Sequence, residues 1–346
     1  MSTMKAFAVD KYKPSGELDH LKETEVPKPI ATENDLLVKV KAVATNPIDY
    51  KKLANLGDHE ATFEGAPLVV GWDGSGVVEA VGDKCSLFKV GDEVFFAGDL
   101  FRPGCFAEYV LIDERIVAKK PKNLSWSQAA AEPLTTLTAW EGMTDQLNIP
   151  VDPKTNAGKV ILITGGAGGV ATIATQIAKK ILGLTVIATG SRPQTINYIK
   201  EQGADHVINH HEPFVKQVND LGFNQVDYVF DCHGLTPELF TVFIEIVKPF
   251  GGICSIWPAA TLDVFQLFFK SIKLSSELMF TRPGLRSDAS LPQHDILTKV
   301  AAFHDSGVLK GRQNVNKPLT VENLRYALEL QASGAAIGKT TLYFEE

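Results

Sequence analysis

The chain has 346 residues, of which 45% are hydrophobic and 22% charged, and its formal net charge is −7. This length exceeds what one hydrophobic core usually organises, so we expect two domains. The acidic balance provides no basic surface for nucleic acid, and no run of about 18 apolar residues could cross a bilayer. Charges also interrupt the N-terminal stretch, where a signal peptide needs an apolar run, so we expect a cytoplasmic protein.

The cysteines and histidines show no spacing typical of a metal site. Cys85, Cys105, Cys232 and Cys254 are isolated and form no C-x-x-C pair, which favours buried, reduced thiols. The eight histidines are scattered, apart from the neighbours His210 and His211, and no predicted helix carries an H-x-x-x-H spacing. The sequence therefore gives little support to metal chemistry.

The chain from about residue 4 to 120 is predicted to be mostly β-structure. Valine enrichment and the alternation of apolar with charged residues are typical of half-buried strands. We predict strands at 5–9, 36–44 and 106–112. The tail has a predicted helix near 320–332 and a last strand from Thr340. Because this tail is too short to fold alone, we expect it to complete the β-rich domain.

The middle of the chain alternates strands with helices. Ser125, followed three residues later by Gln128, is a capping-box signature that opens a helix. Strands are predicted at 160–164, 185–189, 206–208, 226–231 and 252–257, with an amphipathic helix from Val170. Such alternation favours an α/β fold with a parallel sheet covered by helices. We therefore expect a β-rich domain of residues 1–126 and 279–346, interrupted by an inserted domain of residues 127–278.

Two glycine-rich stretches compete as the nucleotide loop. A dinucleotide loop lies between a buried strand and a helix N-terminus, whose amides and dipole hold the pyrophosphate. Gly166, Gly168 and Ala171 match G-x-G-x-x-G/A in that context. The stretch 71–76 is followed by V-V-E-A-V-G, which is β-like. We therefore assign the nucleotide to the second stretch, and predict that the first marks strand bends or close backbone approaches.

The end of the second strand indicates which nucleotide is bound. An acid that holds the adenosine ribose of NAD is expected about 20 residues after the loop, but no carboxylate lies between Thr185 and Arg192. Ser191 and Arg192 are instead placed to hold the 2′-phosphate of NADP. The alternative is that Ser191 only caps the helix that begins at Pro193, while Arg192 is solvated.

Several motifs together resemble the medium-chain dehydrogenase/reductase superfamily along essentially the whole chain. They are G-x-x-G-x-V-x-x-V-G, V-G-D-E-V, A-A-A-E-P-L-T-T-L-T-A-W and G-G-A-G-G-V with Q-I-A-K. N-P-I-D, T-G-S-R, G-A-D-H-V-I-N-H and M-F-T-R-P make the chain similar to zinc-type alcohol dehydrogenase-like proteins near the quinone oxidoreductase branch. The resemblance implies a GroES-like β-rich catalytic domain, a Rossmann NADP-binding domain with a doubly wound parallel sheet, and an active site in the cleft between them.

The resemblance also raises the question of zinc. Zinc-using members have a Cys three residues before the aspartate that here is Asp49, and a His in a G-H-E motif that corresponds to residues 71–73. This chain has Asn46 and Trp72 at those positions, and segment 132–138 has no Cys or His for a third ligand. The four close cysteines of the structural-zinc lobe are also missing. Since catalytic zinc needs three thiolate, imidazole or carboxylate ligands, we expect no metal.

Matching positions give the candidate site residues. For catalysis these are Asn46 as a donor, Tyr50 or Lys51 on the same turn, Asp49 as a positioning group, and Arg282. An Asn-Pro turn capped by Asp49 is an alternative, structural explanation for residues 46–49. The cofactor candidates are Thr138, Gly166, Ala167, Gly168, Gly169, Val170, Thr189, Ser191, Arg192 and His210. Substrate specificity is expected from segments 46–63, 94–102 and 258–290.

The expected activity is NADPH-dependent hydride transfer to a quinone or an α,β-unsaturated carbonyl. Such acceptors delocalise the arriving charge onto oxygen, so hydrogen-bond donors suffice where alcohol oxidation needs zinc or an acid-base group. The alternatives are a zinc-dependent alcohol dehydrogenase and a non-catalytic NADPH sensor or structural protein. A short-chain reductase is disfavoured, because the loop is not N-terminal and Tyr-x-x-x-Lys is missing.

The resemblance further implies a homodimer joined through sheet edges. Strand 252–257 is expected to be such an edge unless another strand pairs with it, and exposed edges are usually covered. The apolar segment 264–269 lies close to it in sequence. Burial of those side chains inside the chain would explain them equally well.

Overall fold

A computed structural model describes residues 2–9, 18, 21–54 and 67–345. The chain divides into two compact units, Met1–Leu134 with Phe280–Glu346, and Thr135–Met279. We call them the first unit and the second unit. The expected boundary at 126/127 lies inside the first unit, whereas the expected boundary at 278/279 is one residue from the observed one.

Strands make up most of the first unit and the sheet of the second. The strands of the described residues are β1 (Thr3–Val9), β2 (Leu21–Pro27), β3 (Asp35–Ala44), β4 (Leu68–Val69), β5 (Asp73–Val81), β6 (Glu93–Ala97), β7 (Tyr109–Asp113), β8 (Val117–Lys119), β9 (Val160–Ile163), β10 (Thr185–Thr189), β11 (His206–Ile208), β12 (Val226–Asp231), β13 (Val247–Ser255), β14 (Lys273–Ser276), β15 (Gln313–Pro318) and β16 (Lys339–Tyr343). The strand predicted at 106–112 begins later, at Tyr109, because the chain before it makes only an isolated bridge from Ala107 to Ala6.

The helices follow the predicted apolar periodicity. In the described residues they are α1 (Pro47–Ala54), α2 (Trp126–Ala130), α3 (Pro133–Glu141), α4 (Gly169–Lys180), α5 (Pro193–Glu201), α6 (Phe214–Asp220), α7 (Pro237–Ile246), α8 (Thr281–Leu285), α9 (Leu291–Asp305) and α10 (Val321–Ala332). The capping box is confirmed, since the Ser125 hydroxyl accepts from the Gln128 amide and the Gln128 side chain accepts from the Ser125 amide. None of the described helices is long and apolar enough to cross a membrane.

The first unit contains two β-sheets. The smaller has the order β2-β1-β4, and the larger runs β15-β16-β3-β5-β6-β8, with β7 paired to β3. Strand β16 lies against β3 through Thr341 and Ala44, so the C-terminal segment is an integral part of this sheet. The tail therefore completes the β-rich unit, as the sequence predicts.

The second unit has a six-stranded parallel sheet of order β11-β10-β9-β12-β13-β14. In order along the chain this is 3-2-1-4-5-6, the doubly wound arrangement of dinucleotide-binding domains, with its switch point between β9 and β12. The α/β fold with a parallel sheet is confirmed. The core is apolar, since β9 is buried along its whole length and packs with Phe240 and Phe243 of α7.

Strand 252–257 is not a sheet edge, because another strand pairs with it, the case that the sequence left open. Strand β13 starts earlier, at Val247, and pairs with β12 on one side and β14 on the other. The edge is β14, whose residues Lys273–Ser276 have the polar sequence K-L-S-S and show no apolar run. A 3₁₀ helix of residues Val264–Lys270 precedes β14 and returns the chain to the sheet.

The predicted role of the first glycine stretch is confirmed. Gly71 has a φ of +90°, a conformation that favours glycine. Gly76 lies inside β5 so close to β3 that a Cβ atom would be 2.2 Å from the Lys39 carbonyl oxygen. This stretch is followed by strand rather than helix, and it therefore serves backbone packing.

Candidate functional site

The second glycine stretch forms the turn between β9 and α4. Gly165 has a φ of +64°, and a Cβ atom on Gly166 would be 2.7 Å from the Thr189 carbonyl oxygen. Gly168 is the N-cap of α4 and no side chain caps it. The fully buried Ala171 lets the helix pack against the sheet. The loop is thus a backbone cradle ahead of a helix N-terminus, the arrangement that binds a pyrophosphate.

Thr189 ties the loop to the neighbouring strand β10. Its hydroxyl accepts from the Gly165 amide at 3.0 Å, and its carbonyl accepts from the Gly166 amide at 3.1 Å. The predicted cofactor residues Ala167, Gly169 and Val170 lie in this loop and at the start of α4, and all three are half-buried. Thr189 therefore shapes the loop, and it lies 3% exposed beneath it.

The predicted 2′-phosphate residues lie together where β10 and β11 end. These strands are parallel neighbours, so Ser191 and His210 follow at the same edge of the sheet, with Ser191 Oγ 3.4 Å from His210 Nε2. The exposed Arg192 is the N-cap of α5, so Ser191 is not the cap that the alternative interpretation required. Burial, helped by His211, His233 and Arg192, lowers the pKa of His210. The Arg192 guanidinium and the Ser191 hydroxyl are a cationic and a neutral donor of the kind that suits a phosphate.

A buried polar cluster in the first unit surrounds Lys339, at the start of β16. The Lys339 ammonium donates to Asn46 Oδ1 at 2.6 Å, Asp73 Oδ2 at 2.9 Å and the Thr45 carbonyl at 3.1 Å. Asn46 Nδ2 in turn donates to Asp73 Oδ2 at 2.8 Å, and the Leu134 amide donates to Asp73 Oδ1 at 2.7 Å. All three ammonium protons have acceptors. Asn46, predicted as a substrate donor, is 1% exposed and holds this cluster.

Asp49 caps the turn that begins α1. Its Oδ2 accepts from the Asn46 amide at 2.7 Å, as the structural alternative predicted. Burial raises the pKa of Asp49 from its ordinary 3.8 to about 8; the Asn46 amide and the Lys339 ammonium oppose this shift and Asp73 supports it. Burial therefore favours the protonated form of this carboxyl in the folded state.

The other candidate catalytic residues occupy different surroundings. Tyr50 and Lys51 are half-buried on α1, where burial raises the pKa of the Tyr50 phenol and lowers that of the Lys51 amine. Arg282 lies half-buried on α8 and donates to the Ala289 carbonyl at 3.4 Å. Thr138 is buried within α3 of the second unit. Of the segments expected to set specificity, residues 55–63 lie outside the described residues.

The residues at the positions of the zinc ligands do not suit the metal. Trp72 is 1% exposed, donates from Nε1 to the Asp99 carbonyl at 2.9 Å and packs edge-on against Phe280. Glu132 is held by Arg312, whose guanidinium donates to it at 2.7 and 3.1 Å. Across the described ranges, no three His, Cys, Asp or Glu side chains are grouped to hold an ion. The ammonium of Lys339 instead supplies the buried positive charge beside Asn46.

Lys339 and Asp73 were not among the predicted site residues. Asp73 lies in the stretch interpreted only as a bend, and Lys339 lies in A-I-G-K-T-T-L, 266 residues away. The only available signal was a charged residue next to each of two strand segments, since Asp73 begins β5 and Lys339 begins β16.

Two family descriptions match the chain. Residues 32–122 match the alcohol dehydrogenase GroES-like domain, and residues 169–290 match the zinc-binding dehydrogenase family. Together with the glycine loop, they define a nucleotide-binding oxidoreductase with a GroES-like unit.

Individual relatives extend over nearly the whole chain. A zinc-type alcohol dehydrogenase-like protein of Staphylococcus aureus is 40% identical over 317 residues, covering 91% of this chain and 92% of the relative. A 2-methylene-furan-3-one reductase of Solanum lycopersicum is 30% identical, covering 99% and 79%. The chloroplastic NADPH-dependent alkenal/one oxidoreductase of Arabidopsis thaliana is 29% identical, covering 98% and 79%.

Solved structures of similar proteins also match nearly the whole chain. The putative zinc-dependent alcohol dehydrogenase of Rhizobium etli is 39% identical with a TM-score of 0.91, covering 100% of this chain and 99% of that one. The quinone oxidoreductase of Coxiella burnetii is 28% identical with a TM-score of 0.80, covering 99% and 100%. The chain belongs to the medium-chain dehydrogenase/reductase superfamily, among its zinc-type alcohol dehydrogenase-like proteins.

Proposed function

We propose that this protein is an NADPH-dependent oxidoreductase that reduces a quinone or an α,β-unsaturated carbonyl without catalytic zinc. The observation that carries the proposal is the grouping of Ser191, Arg192 and His210 at the ends of β10 and β11. An NAD site needs a ribose-binding acid at this position, and no carboxylate occurs from Thr185 to Arg192.

The choice of acceptor rests on the chemistry that the first unit offers. Asn46 and Trp72 replace the side chains that would bind zinc, and Asn46 is committed to Lys339. Oxidation of an alcohol needs zinc or an acid-base group at the alkoxide, whereas a conjugated acceptor delocalises the charge itself. The tomato and Arabidopsis relatives, named for a methylene-furanone and for alkenals or alkenones, support this class of acceptor.

Bound NADPH would supply the hydride to the β-carbon of the acceptor, and the electron pair of the double bond would move to the carbonyl oxygen as an enolate. Tyr50 is the proposed donor to that oxygen, because its phenol is only half-buried while the Asn46 amide is already bonded. A proton from solvent or from Tyr50 completes the reduction. Asp49 has a positioning role, since it fixes the turn that carries Tyr50. The glycine loop, Ser191, Arg192 and His210 would hold the cofactor.

An assay of NADPH consumption tests the proposal with simple quinones, enones, saturated aldehydes and alcohols, alongside NADH and a zinc measurement. Turnover of quinones or enones with NADPH, in protein without stoichiometric zinc, is the expected result. Tight stoichiometric zinc with alcohol oxidation would establish the zinc-dependent alternative. NADPH binding without turnover across the panel would establish the non-catalytic sensor.

A further inference from the structure

One buried carboxylate joins the ends of three neighbouring strands in the second unit. Asp231 is the last residue of β12 and is fully buried. Thr164, which follows β9, donates from its hydroxyl to Asp231 Oδ1 at 2.5 Å, and Ser255, the last residue of β13, donates to Oδ2 at 2.8 Å. Because β9, β12 and β13 are consecutive in the sheet, one side chain fixes three adjacent carboxyl ends.

The same cluster holds the loop that leaves β12. The Cys232 amide donates to the Thr164 hydroxyl at 2.9 Å, and the His233 and Gly234 amides donate to the Asp231 carboxylate, each at 3.3 Å. A Cβ atom on Gly165 would lie 3.5 Å from the Cys232 carbonyl carbon, so this loop touches the start of the glycine loop. Asp231 therefore sets the position of residues 232–234 against the proposed pyrophosphate site.

Packing alone gives no reason for a carboxylate at this position. The preceding residues Val229 and Phe230 are fully buried apolar side chains, and a further apolar residue would continue that core. Burial of a carboxylate is unfavourable unless donors surround it, and here hydroxyl and amide groups from three strand ends do so. The cluster fixes loop geometry at a cost in desolvation, because a fully satisfied buried polar network makes the segments that it holds rigid.

The location of the cluster indicates which part of the cofactor it serves. Ligands of a doubly wound sheet bind outside the carboxyl ends of the strands at the switch point, here between β9 and β12. Ser191, Arg192 and His210 lie on the β10–β11 side, which leaves the β12–β13 side for the other mononucleotide half. We propose that Asp231 is a positioning residue for the nicotinamide half of NADPH, which it serves by holding loop 232–234; this rests on the proposed function.

Two ligands separate this role from general stability. NADPH reaches both halves of the site, whereas adenosine 2′-monophosphate reaches only the Arg192 side. We expect Asp231→Ala to weaken NADPH binding about tenfold or more in calorimetry, and to leave binding of adenosine 2′-monophosphate within about twofold. Thr164→Val keeps the side-chain volume and the bond from Ser255 to Asp231, but it removes one donor to Asp231. We expect this variant also to weaken NADPH binding and to leave binding of adenosine 2′-monophosphate nearly unchanged. Thr175→Val is the matched control, since this buried hydroxyl on α4 has no hydrogen-bond partner.

Each other outcome has a definite meaning. Unchanged NADPH binding in both Asp231→Ala and Thr164→Val would overturn the inference and leave the proposed function standing. Equal weakening of NADPH binding and of adenosine 2′-monophosphate binding in both variants would also overturn it, since general destabilisation of the second unit would have that effect. If the wild-type protein binds neither ligand, the proposed function itself is wrong.

Discussion

The Lys339 ammonium lies 2.9 Å from the Asp73 carboxylate, and both side chains are almost completely buried. The pair joins β16, near the C-terminus, to β5 in the middle of the first unit. Its neighbour Asn46 spans both charges, because its carbonyl oxygen accepts from Lys339 and its amide donates to Asp73. The Thr45 carbonyl and the Leu134 amide complete the hydrogen bonds of these three side chains in a region closed to solvent.

We expect Lys339→Met to lower the free energy of unfolding by about 3–5 kcal/mol, because removal of one partner leaves a buried carboxylate uncompensated. Denaturant unfolding followed by circular dichroism measures this change. The matched control is Lys84→Met, which breaks the exposed ion pair of Lys84 with Glu33. We expect this variant to leave the free energy of unfolding unchanged. A similar small effect for both variants would show that the buried pair contributes no more than the exposed one.

Asp49 gives the first unit a specific pH dependence. Because burial raises its pKa from 3.8 to about 8, the folded state holds this proton more tightly than the unfolded state does. Its contribution to stability is therefore full below about pH 4 and is lost as the pH rises through about 8. Asp49→Asn mimics the protonated form, so the variant should lack this loss and gain stability over wild type as the pH is raised from 4 to 8.

Thermal unfolding across this pH range checks the prediction for Asp49. The control is Asp220→Asn, which makes the same chemical change at an exposed carboxylate paired with Lys216. Plots of thermal stability against pH should run parallel for the wild type and Asp220→Asn. The plot for Asp49→Asn should rise above that of the wild type as the pH increases. Parallel curves for all three proteins would mean that Asp49 is ionised in the folded state at neutral pH.

Arg192 is expected to distinguish the two nicotinamide cofactors. Arg192→Ala should weaken NADPH binding about ten- to hundredfold, since a charge-assisted hydrogen bond to phosphate contributes about 1.5–3 kcal/mol. Binding of NADH, which has no 2′-phosphate, should stay the same. Lys200→Ala removes a charge from the last turn of the same helix and is the control. Equal losses for NADPH and NADH in Arg192→Ala would contradict the phosphate assignment.

The sequence was sufficient to predict the nucleotide loop because that loop depends on short-range features. A strand, three small residues and a helix occur within about 20 positions, and the glycines are required by close backbone contacts that hold in any such turn. Ser191 and His210 were also predicted, although they are 19 positions apart. They follow adjacent parallel strands, so topology alone brings them together.

The buried clusters could not be predicted in the same way. Lys339 and Asp73 are 266 residues apart, and Asp231 and Thr164 are 67 apart. In each case the pairing depends on the sheet register, which a single sequence does not fix. Strand β14 was missed for another reason. Its four residues K-L-S-S have no apolar run, because an edge strand needs less burial than a central one.

Exposed aromatic side chains lie next to that edge. Three phenylalanines of the 3₁₀ helix that leads into β14 are exposed to solvent: Phe265 at 63%, Phe268 at 71% and Phe269 at 78%. Their ring centroids lie 5.6–5.9 Å apart. The alternative that these side chains are buried inside the chain is therefore wrong. Apolar patches of this kind usually mark an interface, and strand β14 lies beside it at the edge of the sheet, where among the described strands it pairs with β13 alone.

We therefore expect the protein to be a homodimer, with a second copy covering this patch and the β14 edge. Light scattering should give twice the chain mass of 37.6 kDa for the wild type. The double variant Phe268→Asp with Phe269→Asp should be monomeric, because the interface would then bury charges without partners. Phe101→Asp places the same charge on an exposed phenylalanine of the first unit and should remain dimeric. A monomeric wild type, or a double variant that stays dimeric, would contradict the assignment of this surface.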